Sequence, residues 1–301
     1  MKSAYLYLVR PANIVTSASD AIAGIAISGA FSLLFGRDAV LIVELLFDML
    51  ALTLASCFFY AGGIAFNDIF DYKLDKKERP ERVLPSGQIS INNAVIFASI
   101  LLLLGLILTL YVGLYSGIIG IYLVAAIFLY NTVAKKNNIT GPLIMGLCRA
   151  LNLSLGISII LSSLQYLYYL AFIPWIYIFA ITLISRGEVS SLGVKNIYIG
   201  LSLYLVVILL LIYVSFEFTH FSFLSLVFIG MFAFNILSTL IPAIRFPNDI
   251  NAVRNAVKNG VISIILLDAC FAIVFSNFMV AILIVSFMPL ASYLSKTYQV
   301  T

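Results

Sequence analysis

The chain carries a succession of apolar runs, each about as long as a bilayer is thick, and this decides its class before any motif is read. A helix needs ~20 mostly apolar residues to cross the hydrocarbon core. Such runs occupy residues 12–35, 39–66, 91–113, 115–133, 142–162, 166–185, 197–215 and 222–243. A further stretch, 260–295, is long enough for one strongly tilted helix or two short ones, and Ser276-Asn277 in its middle favours a break. The expectation is an all-α polytopic membrane protein of nine or ten transmembrane helices, organised as one domain over residues 1–301. With 63% hydrophobic and only 10% charged residues, the chain has more apolar surface than a soluble fold can hide. Nucleic-acid binding, disorder and a disulfide scaffold are excluded with it.

The placement of Lys and Arg sets the orientation. Lys2 and Arg10 precede the first run, and Lys73, Lys76, Lys77, Arg79 and Arg82 lie between the second and third. Lys135 and Lys136 follow the fourth, Arg186 and Lys195 the sixth, and Arg245, Arg254 and Lys258 the eighth. Alternate connections are nearly free of positive charge, with Arg37 the exception. The N-terminus and the basic connections are therefore expected in the cytoplasm, and the plasma membrane is the expected location. No signal-peptide cleavage pattern precedes the first run, which is expected to stay in the mature protein. Cys57, Cys148 and Cys270 form no CxxC pair, and His220, the sole histidine, cannot build a metal site alone.

The second run ends in Asn67-Asp68-Ile69-Phe70-Asp71-Tyr72-Lys73-Leu74-Asp75. Helical spacing puts Asp68, Asp71 and Asp75 on one face, with Asn67 beside Asp71. Like charges so placed repel unless something cationic sits among them. Hard oxygen ligands suit Mg²⁺, which takes one or two carboxylates together with substrate phosphates. Just beyond stand Arg79 and Arg82, in a segment stiffened by Pro80 and Pro85, and guanidinium forks match phosphate oxygens. A metal clamp on a diphosphate accounts for the pattern better than a solvated helix end, because carboxylates at a membrane edge are expensive.

NDxxDxxxD followed by RPxRxxPSGxIS resembles the first signature of the UbiA-type membrane prenyltransferases. Arg10-Pro11-Ala12-Asn13, the segment from Tyr130 to Lys135, and Gly141-Pro142 through Arg149 and Asn152 add to the resemblance, which covers essentially the whole chain. It implies a helical bundle around a cytoplasm-facing cavity. There Mg²⁺ and a prenyl diphosphate donor would be held, and the prenyl group passed to an aromatic or lipid acceptor within the bilayer. By that resemblance Asp68, Asp71 and Asp75 hold metal, while Asn67, Arg79, Arg82 and Lys135 hold the diphosphate. Asn13, Tyr130, Arg149 and Asn152 line the substrate cavity.

The family's second motif, DxxxD after the sixth span, is replaced here by Ser185-Arg186-Gly187-Glu188-Val189. Two readings follow. In one, Arg186 neutralises the diphosphate in place of a metal, and Glu188 acts as a catalytic ligand or base. In the other, the fold is a non-catalytic prenyl-lipid carrier. Arg149, some seven residues inside its span, must face the cavity or a partner. Asp20 and Asp268 lie at similar depth, and one of them is expected to pair with it.

Overall fold

The structure is a computed structural model and describes residues 4–35, 38–186, 193–219, 222–247 and 249–298. Its regular elements are helical throughout the described residues. A short α1 (Ala4–Val9) leads into α2 (Pro11–Ile27), the 40-residue α3 (Ala39–Glu78), and the hairpin of α4 (Ile91–Val112) and α5 (Leu114–Thr132) about Gly113. Next come α6 (Thr140–Ile157), α7 (Leu161–Leu167), α8 (Phe172–Arg186) and α9 (Gly193–Thr219). The chain ends with α10 (Phe223–Arg245), α11 (Ile250–Phe275), α12 (Phe278–Val285) and α13 (Phe287–Thr297). Nine segments of at least 18 residues are apolar enough to cross a membrane among the described residues, α7 with α8 and α12 with α13 each counting as one. The 17-residue α2 stands beside them.

The departures from the apolar runs have local causes. α2 stops at Ile27 rather than near 35 because Gly29 turns left-handed (φ 82°), with its N–H on Ala26 O and that of Ser28 on Gly24 O. α3 continues past its apolar part, so the acidic cluster is helical. The last stretch breaks at Ser276, as expected, and Asn277 restarts the helix by accepting from Val280 N at 3.1 Å. α11 begins earlier than the apolar pattern, at Ile250, where Asp249 caps it through Asn251 N (2.9 Å). Arg254 and Lys258 are thus on its first turns rather than in a loop.

Each long helix packs on the next in sequence, and α11 returns to α2, so the bundle closes into a ring. Short connections make such antiparallel neighbours. α4 turns most of one face outward, whereas α2 and α11 are largely buried. α2 also crosses α6 inside the ring, at Gly24 and Gly156. A Cβ on Gly24 would lie 2.8 Å from Gly156 Cα and 2.9 Å from Ile157 N. Only glycines permit this approach, the usual device for close crossings in lipid, where packing rather than the hydrophobic effect joins helices.

Polar side chains tie the crossings. Ser17 and Ser56 join α2 to α3, their Oγ atoms 2.6 Å apart and Ser56 Oγ donating to Ser17 O at 2.8 Å. Arg149 on α6 donates to Asp20 Oδ2 on α2 at 2.6 Å and to Thr16 Oγ1 at 3.0 Å, and lies 5.3 Å from the Tyr60 ring centroid on α3. Of the two candidate partners for Arg149, Asp20 takes the ion pair, while Asp268 on α11 accepts from Ser19 Oγ on α2 at 2.5 Å. Asn152, one turn from Arg149, donates to the same Asp20 oxygen at 2.9 Å.

Two outcomes are expected from unfolding measurements in detergent. Gly156→Val forces α2 from α6 and lowers stability by about 1–3 kcal/mol, the usual cost of overpacking. Arg149→Met leaves Asp20 buried without its counter-charge and costs about 3–5 kcal/mol, and adding Asp20→Asn restores part of that loss.

Candidate active site

The C-terminal end of α3 carries the acidic cluster, and the segment after it folds back over that end. Leu84 and Ile89 anchor the segment in the core. Ser86 N donates to Arg82 O (2.9 Å), Gln88 N donates to Val83 O (3.1 Å), and Gly87 takes φ 78°. This returns Arg82 to the helix it has just left: its Nη1 is 2.7 Å from Asp75 Oδ2 and 3.8 Å from Asp68 Oδ1. Arg79 is exposed at the helix end, outside both these contacts and the cavity below.

Two further cations arrive from elsewhere. Arg10, between α1 and α2, places Nη2 2.6 Å from Asp68 Oδ1. It does so from a left-handed backbone (φ 49°, ψ 75°), the one positive φ outside glycine among the described residues. Such a conformation persists only where surrounding contacts hold it. Lys135, on the turn between α5 and α6, reaches Asp71 Oδ1 at 2.5 Å and Asn67 Oδ1 at 3.5 Å. Three carboxylates are thus matched by Arg10, Arg82 and Lys135.

This charged rim adjoins a cavity of about 310 Å³, at the lower end of the range for small-molecule sites. Arg10 and Asn67 reach both, since they line the cavity as well. Asn13, Tyr130, Arg149 and Asn152 all lie in its wall, with Ser17, Tyr60 and Asn131. Apart from Ser56, Thr182 and Ser185 the rest is apolar, including Phe59, Leu123, Ile127, Ile178, Val261 and Ile264. Two amide oxygens, Asn131 Oδ1 and Asn152 Oδ1, are buried without a donor. Both amides are fixed in orientation, because their nitrogens donate to Ile127 O (3.0 Å) and to Asp20 and Ser17 O (3.1 Å).

Asp68, Asp71 and Asp75 stand on the rim and not in the cavity wall. Among the described residues no three acidic, Cys or His groups come together as a ready metal shell. The oxygens present, Asn67 Oδ1 with the Asp68 and Asp71 carboxylates, fit an ion bound by one or two carboxylates and completed by ligand phosphate, the usual habit of Mg²⁺. They do not fit an all-protein cage. Arg186 lies on the turn that carries Lys135, and Ser185 lines the cavity. Glu188 and His220 fall outside the described residues.

Sequence reasoning passed over Arg10 as a site residue, although Arg10-Pro11 stands at the start of the first run. It also passed over Asn131, next to Tyr130. The available signal was a charged or amide residue beside each segment already singled out.

The UbiA prenyltransferase family model matches residues 21–246. A protein of Sulfurisphaera tokodaii named digeranylgeranylglyceryl phosphate synthase is 28% identical over 268 residues, 84% of this chain and 91% of that one. Among solved structures, one described as digeranylgeranylglyceryl phosphate synthase in membranes superposes with a TM-score of 0.65 at 24% identity, over 91% of this chain and 99% of the other. A UbiA homologue from Archaeoglobus fulgidus bound to GPP and Mg²⁺ does so with a TM-score of 0.62 at 12% identity, over 96% and 99%. Both share the fold. With the family model covering three quarters of the sequence and the fold shared end to end, the chain belongs to the UbiA prenyltransferase family.

Proposed function

We propose that this enzyme transfers a prenyl group from a prenyl diphosphate, with Mg²⁺, to the hydroxyl of a lipid acceptor. The observation that carries the reading is the junction of a charged rim with a largely apolar cavity. A prenyl diphosphate has the same division, a polyanionic head on an apolar tail. Lys135, Arg82 and Arg10 would hold the phosphate oxygens, with Asn67, Asp68 and Asp71 binding the cation that accompanies them and Asp75 keeping Arg82 in place. When bound, Mg²⁺ supplies positive charge to the departing diphosphate.

The allylic carbon–oxygen bond breaks with its electron pair leaving on the diphosphate. The acceptor oxygen then bonds to that carbon and passes its proton to the released diphosphate. Positive charge developing on the prenyl carbon would be met by the aromatic ring of Tyr130 in the wall, by cation–π attraction. Asn131 Oδ1 and Asn152 Oδ1 would accept from the acceptor hydroxyl and orient it. A lipid hydroxyl as acceptor is also in keeping with the name of the Sulfurisphaera tokodaii relative, which specifies a glyceryl lipid product. The basic connections favour a rim on the cytoplasmic side, and the plasma membrane is the proposed location.

The test uses purified protein in detergent, geranylgeranyl diphosphate, and separate assays of binding and pyrophosphate release. Wild type binds the diphosphate in a Mg²⁺-dependent manner and releases pyrophosphate once a glyceryl lipid acceptor is added. Asp71→Ala loses the Mg²⁺-dependent binding. Lys135→Ala weakens binding about 10- to 100-fold, the loss of one hydrogen bond to a charged group. Unchanged binding by Asp71→Ala removes the assignment, and tight binding by wild type with no release on any acceptor points to a carrier.

A further inference from the structure

Arg186 closes α8 where the sequence led us to expect a direct ligand of the diphosphate. Its guanidinium is turned toward protein backbone instead. Nη2 donates to Lys135 O at 2.8 Å, and Nη1 donates to Asn137 O at 2.7 Å and to Asn138 Oδ1 at 3.2 Å. These acceptors belong to the turn, residues 134–138, that joins α5 to α6 and presents Lys135. The planar fork of arginine can take two carbonyls of a connection at once, and Asn137 O also accepts from Gly141 N at 3.2 Å. A third carbonyl of this turn, Ala134 O, accepts from Thr140 Oγ1 at 3.1 Å and from Asn137 N at 3.0 Å.

Gly141, on the first turn of α6, completes the arrangement. A Cβ there would overlap Arg186 Nη2, and would lie 2.9 Å from Cζ and 3.2 Å from Ala134 O. The guanidinium fits against α6 only because residue 141 has no side chain. From the same turn the Lys135 side chain crosses to α3, where it meets Asp71 and Asn67. One line of contacts therefore runs from α8 through the Lys135 turn to the acidic rim.

We propose that Arg186 is a positioning residue for Lys135: it fixes the turn so that the Lys135 ammonium faces the diphosphate site, and it does not itself bind the diphosphate. The inference rests on the reading of Lys135 as a diphosphate ligand. It assigns a use to the part of the second motif where acidic residues are missing. The sixth span contributes to donor binding through the backbone of a neighbouring turn.

A double-mutant cycle tests it, with dissociation constants for geranylgeranyl diphosphate measured in Mg²⁺ on the full chain in detergent. Lys135→Ala and Arg186→Ala each weaken binding about tenfold, and the double variant binds within about twofold of Lys135→Ala, because two residues acting through one contact do not add. Arg186→Lys keeps the charge without the fork and behaves like Arg186→Ala. Gly141→Ala keeps both charges, displaces the guanidinium and has the same effect, which provides a reading even if Arg186→Ala fails to fold. A general loss of structure would weaken the Lys135→Ala background further, as would direct contact between Arg186 and the diphosphate. Additive losses of about 100-fold in the double variant, or wild-type binding by Arg186→Lys, therefore overturn the inference and leave the proposed function standing. Wild-type binding by Lys135→Ala overturns the inference together with the role given to Lys135, and no Mg²⁺-dependent binding by wild type removes the proposed function itself.

Discussion

The ion pair of Arg149 with Asp20 joins the two helices that cross inside the ring. A charge buried in a bundle within lipid is tolerable only with its counter-charge and hydrogen bonds in place. The pair meets that condition only if α2 and α6 approach closely, and Gly24 and Gly156 allow them to. The same Asp20 oxygen takes Asn152, and the Arg149 guanidinium lies against Tyr60. Two cavity-wall residues from α6 and one from α3 are thus set by one buried charge. The cavity's polar side is a by-product of holding the bundle together.

At the rim the same constraint is met differently. Asp68, Asp71 and Asp75 share the field of three cations drawn from three separate parts of the chain. These pairs are more accessible than the Arg149 pair, so an incoming ligand can reach them. On the proposed function, a polyanion arriving with a divalent cation would exchange partners here with little net change in charge: its phosphates would take the arginines and lysine, and its metal the carboxylates. Rigid charge inside and exchangeable charge at the edge suit a site that must keep its shape while its contents turn over.

The sequence made some of this legible. Hydropathy located the long helices, because lipid imposes length and apolarity on each span independently of its neighbours. It missed the end of α2, which depends on the backbone of Gly29, and the start of α11, which depends on the Asp249 cap. Depth alone narrowed the partner of Arg149 to Asp20 or Asp268 but could not choose, since both lie at the same level and only the azimuth of α2 and α11 separates them. The spacing of Asp68, Asp71 and Asp75 announced a charged site. What it could not announce was Arg10, brought to Asp68 across 58 residues of sequence, or the direction in which Arg186 points. The charge of Arg186 suggested phosphate; its geometry is that of a brace on carbonyls.

The closed ring also has a consequence for the order in which the protein is made. α2 leaves the ribosome ahead of α3 to α13, and it carries Asn13, Thr16, Ser17 and Asp20 on surfaces that end up buried. Its partner Arg149 follows 129 residues later, and Asp268, which receives Ser19, lies 249 residues away. Translation proceeds at about 5–20 residues per second, so α2 waits many seconds for the helices that cover it. During that interval its polar face has to be sheltered by water, by lipid headgroups or by the insertion machinery. Its 17 residues make it shorter than any of the nine apolar segments, and α3, α6, α11 and α13 must all find it.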